Sequence, residues 1–144
     1  MKRMVKVLLA LGLLLLVLSG CGKKSTQGKD YVKIYDHQNH LLKKLTTAKS
    51  IRYFSDYVGD AAGSDTKTNA NQKIDEKISK AKVSYKYLMH QAKGDVNSTM
   101  TVYSNVKYGS VDNIAGFGKA NFKMSDKAFK TFNHPKQLIK KLEK

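Results

Sequence analysis

The chain has 144 residues, with 27 Lys or Arg against 11 Asp or Glu, and its one cysteine is Cys21. That length suits a single domain with a short extension. A lone cysteine excludes a disulfide within the chain, so an apolar core must stabilise the fold. The formal charge of +16 favours polyanionic partners.

The first stretch, residues 2–21, predicts export. Three basic residues among the first six precede an apolar run over residues 7–18, and small residues then lead to Cys21. This span is shorter than the roughly 20 apolar residues that a transmembrane helix needs, and it fits the h-region of a signal peptide. We therefore predict a signal peptide over residues 1–20.

The segment Leu18-Ser19-Gly20-Cys21 resembles the lipobox of bacterial prolipoproteins, and the resemblance covers the first 21 residues. It implies that the Cys21 thiol receives a diacylglyceryl group, with acyl chains such as palmitate, and that the chain is cut just before it. Two acyl chains, at about 0.8 kcal/mol per buried CH₂, anchor a protein stably. The expected location is the extracytoplasmic face of the cell membrane, with Cys21 as the lipidation site.

Removal of the signal peptide leaves 24 basic and 11 acidic residues, a formal charge of +13. Nucleic acid is not an expected partner of an exported protein, and the aromatic residues form no RNA-binding or zinc-finger pattern. Anionic lipid headgroups or cell-wall polymers are the expected neighbours. A charge surplus that serves only solubility is the alternative.

After Cys21, residues 22–30 contain no large apolar side chain and predict a flexible tether, with an r.m.s. span of about 15–18 Å. One folded domain is expected over residues 31–144. Its first element is a β-hairpin, because residues 31–35 alternate, residues 36–39 have turn chemistry and residues 40–45 are again extended.

Apolar residues then recur at spacings of three or four from Ala48 to Val58. This pattern predicts a helix that Thr46 or Thr47 caps and Gly59 ends. Residues 60–73 are small and polar and predict a mobile loop that is dispensable for folding.

Residues 74–92 fit both a helical and an alternating pattern. The preferred interpretation is a short helix near 73–79 and a strand over 81–90. A turn at 93–95 and the β-prone run 99–103 then predict an antiparallel hairpin.

Further turns between residues 104 and 118 predict a meander that continues to Met124. Ser125 or Asp126 is expected to cap one helix, and Pro135 to begin the last one. The sequence thus predicts an α+β fold in which an antiparallel sheet carries helices on one face and ends with C-terminal helices.

No catalytic or metal-binding pattern is evident. His37 and His40 lack a set of acids and histidines to complete a metal site, and His90 and His134 are isolated. Gly116-Phe117-Gly118 lacks the residues of a phosphate loop and predicts a bulge or tight turn. No serine lies in a nucleophile elbow. We therefore expect no catalytic residue, cofactor or metal ion, and no enzymatic activity.

Tyrosines on the predicted strands offer a binding hypothesis. Together with nearby lysines they form either an adhesive, cation-bearing face for a peptide or glycan, or part of the core. The residues concerned are Tyr85, Tyr87, Tyr103, Tyr108, Lys82, Lys86 and Lys107. Alternation places Tyr85 and Tyr87 on one face with Lys86 opposite, which favours the core.

The layout from Tyr31 onward, including Lys123-Met124-Ser125-Asp126-Lys127-Ala128-Phe129, is similar to that of small uncharacterised surface lipoproteins of Gram-positive bacteria. The preferred function is a non-enzymatic binding module at the membrane, for a protein, a peptide or an anionic partner. An immunity lipoprotein that intercepts a membrane-active peptide is one alternative. Another is a pheromone precursor, because residues 13–20 resemble the octapeptides that some Gram-positive cocci release from lipoprotein signal peptides.

Overall fold

The computed structural model describes residues 28–64, 68–114 and 117–144. The predicted signal peptide, Cys21 and Gly116 lie outside the described residues. The described elements, in chain order, are β1 (Tyr31–Asp36), β2 (Leu41–Leu45), α1 (Ala48–Ser64), α2 (Thr68–Ser79), β3 (Val83–Gln91), β4 (Val96–Tyr103), β5 (Tyr108–Ile114), β6 (Phe117–Lys123), α3 (Asp126–Phe132) and α4 (Pro135–Leu142). A chain that begins at Gly22 therefore keeps every described element.

The strands form one antiparallel sheet in the order β2-β1-β3-β4-β5-β6. The predicted opening hairpin and the meander are both confirmed. The α+β class is also confirmed, as are the C-terminal helices, which follow the last strand. Strand β1 is central to the first half because it pairs with both β2 and β3.

The turn between β1 and β2 is built around Asp36. Its Oδ1 accepts hydrogen bonds of 2.9 Å from the backbone N–H groups of Gln38 and His40. The His40 N–H in particular keeps the pKa of the Asp36 carboxyl below its usual range. Asn39 takes the left-handed conformation, with φ 63°, which asparagine tolerates better than most residues.

Helix α1 begins as predicted but continues further. Thr47 is the cap, because its Oγ1 accepts a hydrogen bond from the Ser50 N–H at 3.2 Å. The prediction that Gly59 ends this helix is wrong, since α1 extends to Ser64. Packing of Val58 and Ala61 against the core explains the continuation, because tertiary contacts offset the low helix propensity of one glycine.

The predicted loop over 60–73 is also wrong wherever the structure describes it, because 60–64 belong to α1 and 68–73 to α2. The loop prediction rested on polarity, and α2 is a polar helix with a narrow apolar stripe. That stripe is Ile74 and Ile78, which are buried. The predicted helix near 73–79 and the following strand are confirmed, although the helix begins earlier, at Thr68.

The sheet carries helices on both faces. Val102 belongs to the main core with α1, α3 and α4, whereas the adjacent Tyr103 joins Ile74 and Ile78 in a second cluster. Because successive side chains of a strand point to opposite faces, α2 lies on the face opposite the other helices. Asn121 on β6 also donates a hydrogen bond to Asp75 on α2. Three helices thus share one face as predicted, and α2 departs from that arrangement.

The main core lies between the sheet and α1, α3 and α4. Its buried side chains come from every strand and from the three helices, and they include Val32, Ile34, Leu45, Phe54, Tyr87, Met100, Val102, Val111, Phe122, Phe132 and Leu138. One close approach requires glycine. A Cβ on Gly109 would lie 2.6 Å from Cζ of Phe122, so the ring of its cross-strand partner occupies that space.

The two C-terminal helices begin as predicted. The Ser125 side chain accepts a hydrogen bond from the Ala128 N–H at 3.2 Å, and Pro135 occupies the first position of α4. Helix α3 is held to the sheet by Tyr87, whose hydroxyl donates a 2.6 Å hydrogen bond to the Phe132 carbonyl.

This buried tyrosine predicts a loss of stability in alkali. Burial raises the pKa of Tyr87 far above its usual range and that of Tyr57 to about 12. Unfolded tyrosine ionises near pH 10, so the stabilisation is complete below about pH 10 and decreases as the pH rises further. We expect Tyr87→Phe to lower the free energy of unfolding at neutral pH by about 1–3 kcal/mol, because the Phe132 carbonyl loses its partner. Above pH 10, the melting temperature of Tyr87→Phe should then fall less steeply with pH than that of the wild type. Thermal melts that give the same pH dependence for both proteins would contradict the stabilising role of the buried Tyr87 hydroxyl.

Candidate functional site

Over β2, β1 and β3, none of the described helices covers the second face of the sheet. Val32 and Ile34 of β1 are buried in the main core, so Tyr31, Lys33 and Tyr35 point to the other side. Their cross-strand partners lie there too, because Lys33 pairs with Lys44 and Tyr31 pairs with His90. Helix α2 covers this face only further along, where its apolar stripe meets residues such as Tyr103 and Tyr108. We call the open patch the basic face, and its members are Tyr31, Lys33, Tyr35, Lys44, Lys86 and His90.

The ring of Tyr31 is the centre of the basic face. The Nζ of Lys44 lies 4.4 Å and the Nζ of Lys33 5.2 Å from the ring centroid. The imidazole of His90 stacks on the same ring, with centroids 4.6 Å apart and planes at 19°. Contacts between an ammonium group and an aromatic ring contribute about 0.5–1 kcal/mol at exposed sites, so Tyr31 holds two cations close together.

A third cation lies one strand further along. Lys86 of β3 pairs with Tyr35 and donates a 2.9 Å hydrogen bond from Nζ to Oδ1 of Asn39 in the first turn. The three lysines therefore form a diagonal row on one face, one each on β2, β1 and β3, in which Lys86 is offset from Lys33 by two residues towards the first turn.

No carboxylate neutralises this row among the described residues. The one acidic residue on β1, β2 and β3 is Asp36, which is engaged in its turn. None of Lys33, Lys44 and Lys86 takes part in an ion pair within the described ranges, whereas Lys107 contacts Asp126 at 2.7 Å and Lys43 contacts Glu143 at 2.6 Å. Like charges held near one another repel, so an anion that binds between them is stabilised.

The structure confirms the preferred interpretation of the strand tyrosines, which is that they pack in the core. Tyr87 and Tyr103 are buried, and Tyr85 and Tyr108 are half-buried against the two apolar clusters, so these residues belong to the cores. Of the lysines in the binding hypothesis, Lys86 alone lies on the basic face. The members of the basic face that the sequence reasoning did not assign to binding include Tyr31, Lys33 and Lys44. The alternation of residues 31–35 nevertheless separates Tyr31 and Lys33 from Val32 and Ile34.

The histidines occupy separate positions. His40 contacts Asp36 in the first turn at 3.2 Å, and His134 contacts the Lys130 carbonyl at 2.7 Å. His90 is part of the basic face. Over the described ranges, no three side chains of His, Cys, Asp or Glu come together in a way that suits a metal ion.

In comparisons with known proteins, no family model matches the chain, and neither does any curated protein or solved structure. In the part of the chain that the structure describes, no helix has the length and apolar character needed to cross a bilayer.

Proposed function

We propose that this chain is a lipoprotein anchored through Cys21 to the extracytoplasmic face of the cell membrane, where its basic face binds an anionic partner without chemical turnover. The basic face is the observation that carries the proposal. Its three lysines lack acidic partners among the described residues, and the ring of Tyr31 holds two of them together.

The chemistry of the face is compatible with phosphate groups. Lysine ammonium groups act as compact point charges that bind phosphate, without the bidentate geometry that arginine offers to both phosphate and carboxylate. The basic face contains no arginine. Phosphate groups are present both in anionic lipid headgroups and in phosphate-bearing wall polymers, so both remain candidates for the partner.

The position of the face relative to the anchor supports a partner at the cell surface. Tyr31 directly follows residues 22–30, and a tether of that length has an r.m.s. span of about 15–18 Å. The basic face would therefore remain near the bilayer.

A basic surface also repels a cationic membrane-active peptide, which counts against the role of an immunity protein.

The anchor is tested by Cys21→Ala. We expect the wild-type protein to fractionate with membranes and to show a diacylglyceryl group on an N-terminal Cys21 by mass spectrometry. The Cys21→Ala protein should lose the modification, and membrane association that survives a high-salt wash should fall to a small fraction of the wild-type level, because two acyl chains supply the stable attachment. A Cys21→Ala protein that is processed and resists that wash as the wild type does would contradict the anchor.

A further inference from the structure

A groove of about 230 Å³ lies at the end of the sheet where β1 begins, between the sheet and α1. Most of its lining lies on the helix side of the sheet, and it shares Tyr31 and His90 with the edge of the basic face. Six apolar side chains form most of its wall: Val32, Ile51, Val58, Met89, Val96 and Ile114.

The polar groups around the groove include two that already have partners. Oδ1 of Asp30 accepts a hydrogen bond from the Ala92 N–H at 2.8 Å, and Oγ of Ser98 donates to the Asn113 carbonyl at 2.9 Å. No lysine or arginine lines the groove. Its titratable lining groups are Asp30, Tyr31 and His90, and the rest of the lining is mostly apolar, which suits an apolar ligand.

Gly59 forms part of the wall, although the fold does not require a glycine there. A Cβ at this position would meet no atom within 4 Å, and the residue lies inside helix α1, where glycine is less stable than alanine. Ile51, Ser55 and Val58 also line the groove and lie on the same helical stripe as Gly59. A side chain at position 59 would therefore extend from the groove wall.

We propose that this groove binds one alkyl chain of a membrane lipid. Its volume is below the 300–1,000 Å³ or so of pockets that enclose a drug-sized molecule, so a slender chain is the ligand that fits. Asp30 and Tyr31 line the groove, which places it beside the point where the tether ends. The inference that the alkyl chain comes from a membrane lipid rests on the proposed anchor, because that anchor holds the groove near the bilayer.

The test uses uncharged ligands, so that the basic face does not contribute. A chain that begins at Gly22 is loaded with the neutral fluorescent probe N-phenyl-1-naphthylamine, which is then displaced by alkyl glucosides of about six to ten carbons below their micelle concentrations. Each methylene that enters the groove should raise the affinity about fourfold, until the groove is filled.

Gly59→Leu and Ser55→Phe should each weaken binding at least tenfold, because the new side chain occupies the groove. Gly63→Leu is the matched control, since Gly63 lies in the same helix with the same open space but does not line the groove. It should bind as the wild type does. Thermal melts of all four proteins verify that each one is folded.

Several results would overturn the proposal: no displacement from the wild type, no dependence on chain length, or equal binding by Gly59→Leu and the wild type. Sedimentation that shows a dimer broken by Gly59→Leu would assign the groove to a second copy. If the truncated chain binds alkyl glucosides and the lipidated protein does not, the occupant is the protein's own anchor. A failure of any of these kinds leaves the basic face and its anionic partner untouched.

Discussion

Replacing Phe132 with alanine is expected to lower the free energy of unfolding by about 3–5 kcal/mol, the usual cost of removing a fully buried aromatic side chain. Phe132 is 0% exposed. Its ring centroid lies 4.5 Å from that of Tyr57, 5.4 Å from that of Tyr87, and just over 6 Å from those of Tyr53 and Phe54. The cavity left behind would be enclosed by other rings that cannot all move into it.

Urea unfolding measures this loss, and Phe129→Ala is the control. Phe129 lies in the same short helix, α3, but is only half-buried. We expect Phe129→Ala to cost less than half as much, with a similar dependence of the unfolding free energy on urea concentration in both variants. A smaller loss for Phe132→Ala than for Phe129→Ala would mean that α3 does not close the core in the way the structure shows.

Converting the row of lysines to glutamine is expected to weaken binding to a polyanion about a hundredfold at low salt. Each lysine close to an anionic surface contributes about 1 kcal/mol, so the triple variant Lys33→Gln, Lys44→Gln, Lys86→Gln loses about 3 kcal/mol of attraction. The side chains are half-exposed or exposed, and none forms an ion pair among the described residues, so stability should change little.

The local parts of the fold could be predicted from the sequence, because their causes are local. Thr47 and Ser125 cap their helices through hydrogen bonds to residues three positions on, and Pro135 begins α4 at the one place where its missing N–H has no cost. The helical state of residues 60–64 and 68–73 is not evident from the sequence, because small polar residues are also typical of a loop. The decisive contacts of α2 are with Tyr103, about 25 to 30 residues along the chain, and no local pattern shows them.

Part of the candidate site could also be predicted from the sequence, because the alternation along a strand is a local pattern. Alternation along β1 puts Tyr31 and Lys33 on the face away from Val32 and Ile34, and that separation is visible in the sequence. The approach of Lys44 and His90 to Tyr31 depends instead on the registers of β2 and β3 against β1. A shift of one residue in either strand would move these side chains to the opposite face.

Binding by the basic face is tested by titrating a chain that begins at Gly22 against fluorescently labelled polyphosphate and, in parallel, against anionic vesicles. At low salt the wild type should bind, and the triple lysine variant should bind about a hundredfold more weakly. The control carries Lys127→Gln, Lys130→Gln and Lys136→Gln, which remove the same charge from α3 and α4. It should bind nearly as well as the wild type. Much of the attraction should disappear at physiological salt unless the partner makes shaped contacts as well. Preference for polyphosphate would identify a polymer as the partner, and preference for vesicles would identify lipid headgroups. No binding to either at low salt, or equal losses in the two triple variants, would contradict a binding role for the basic face and leave the excess lysine as a feature of solubility.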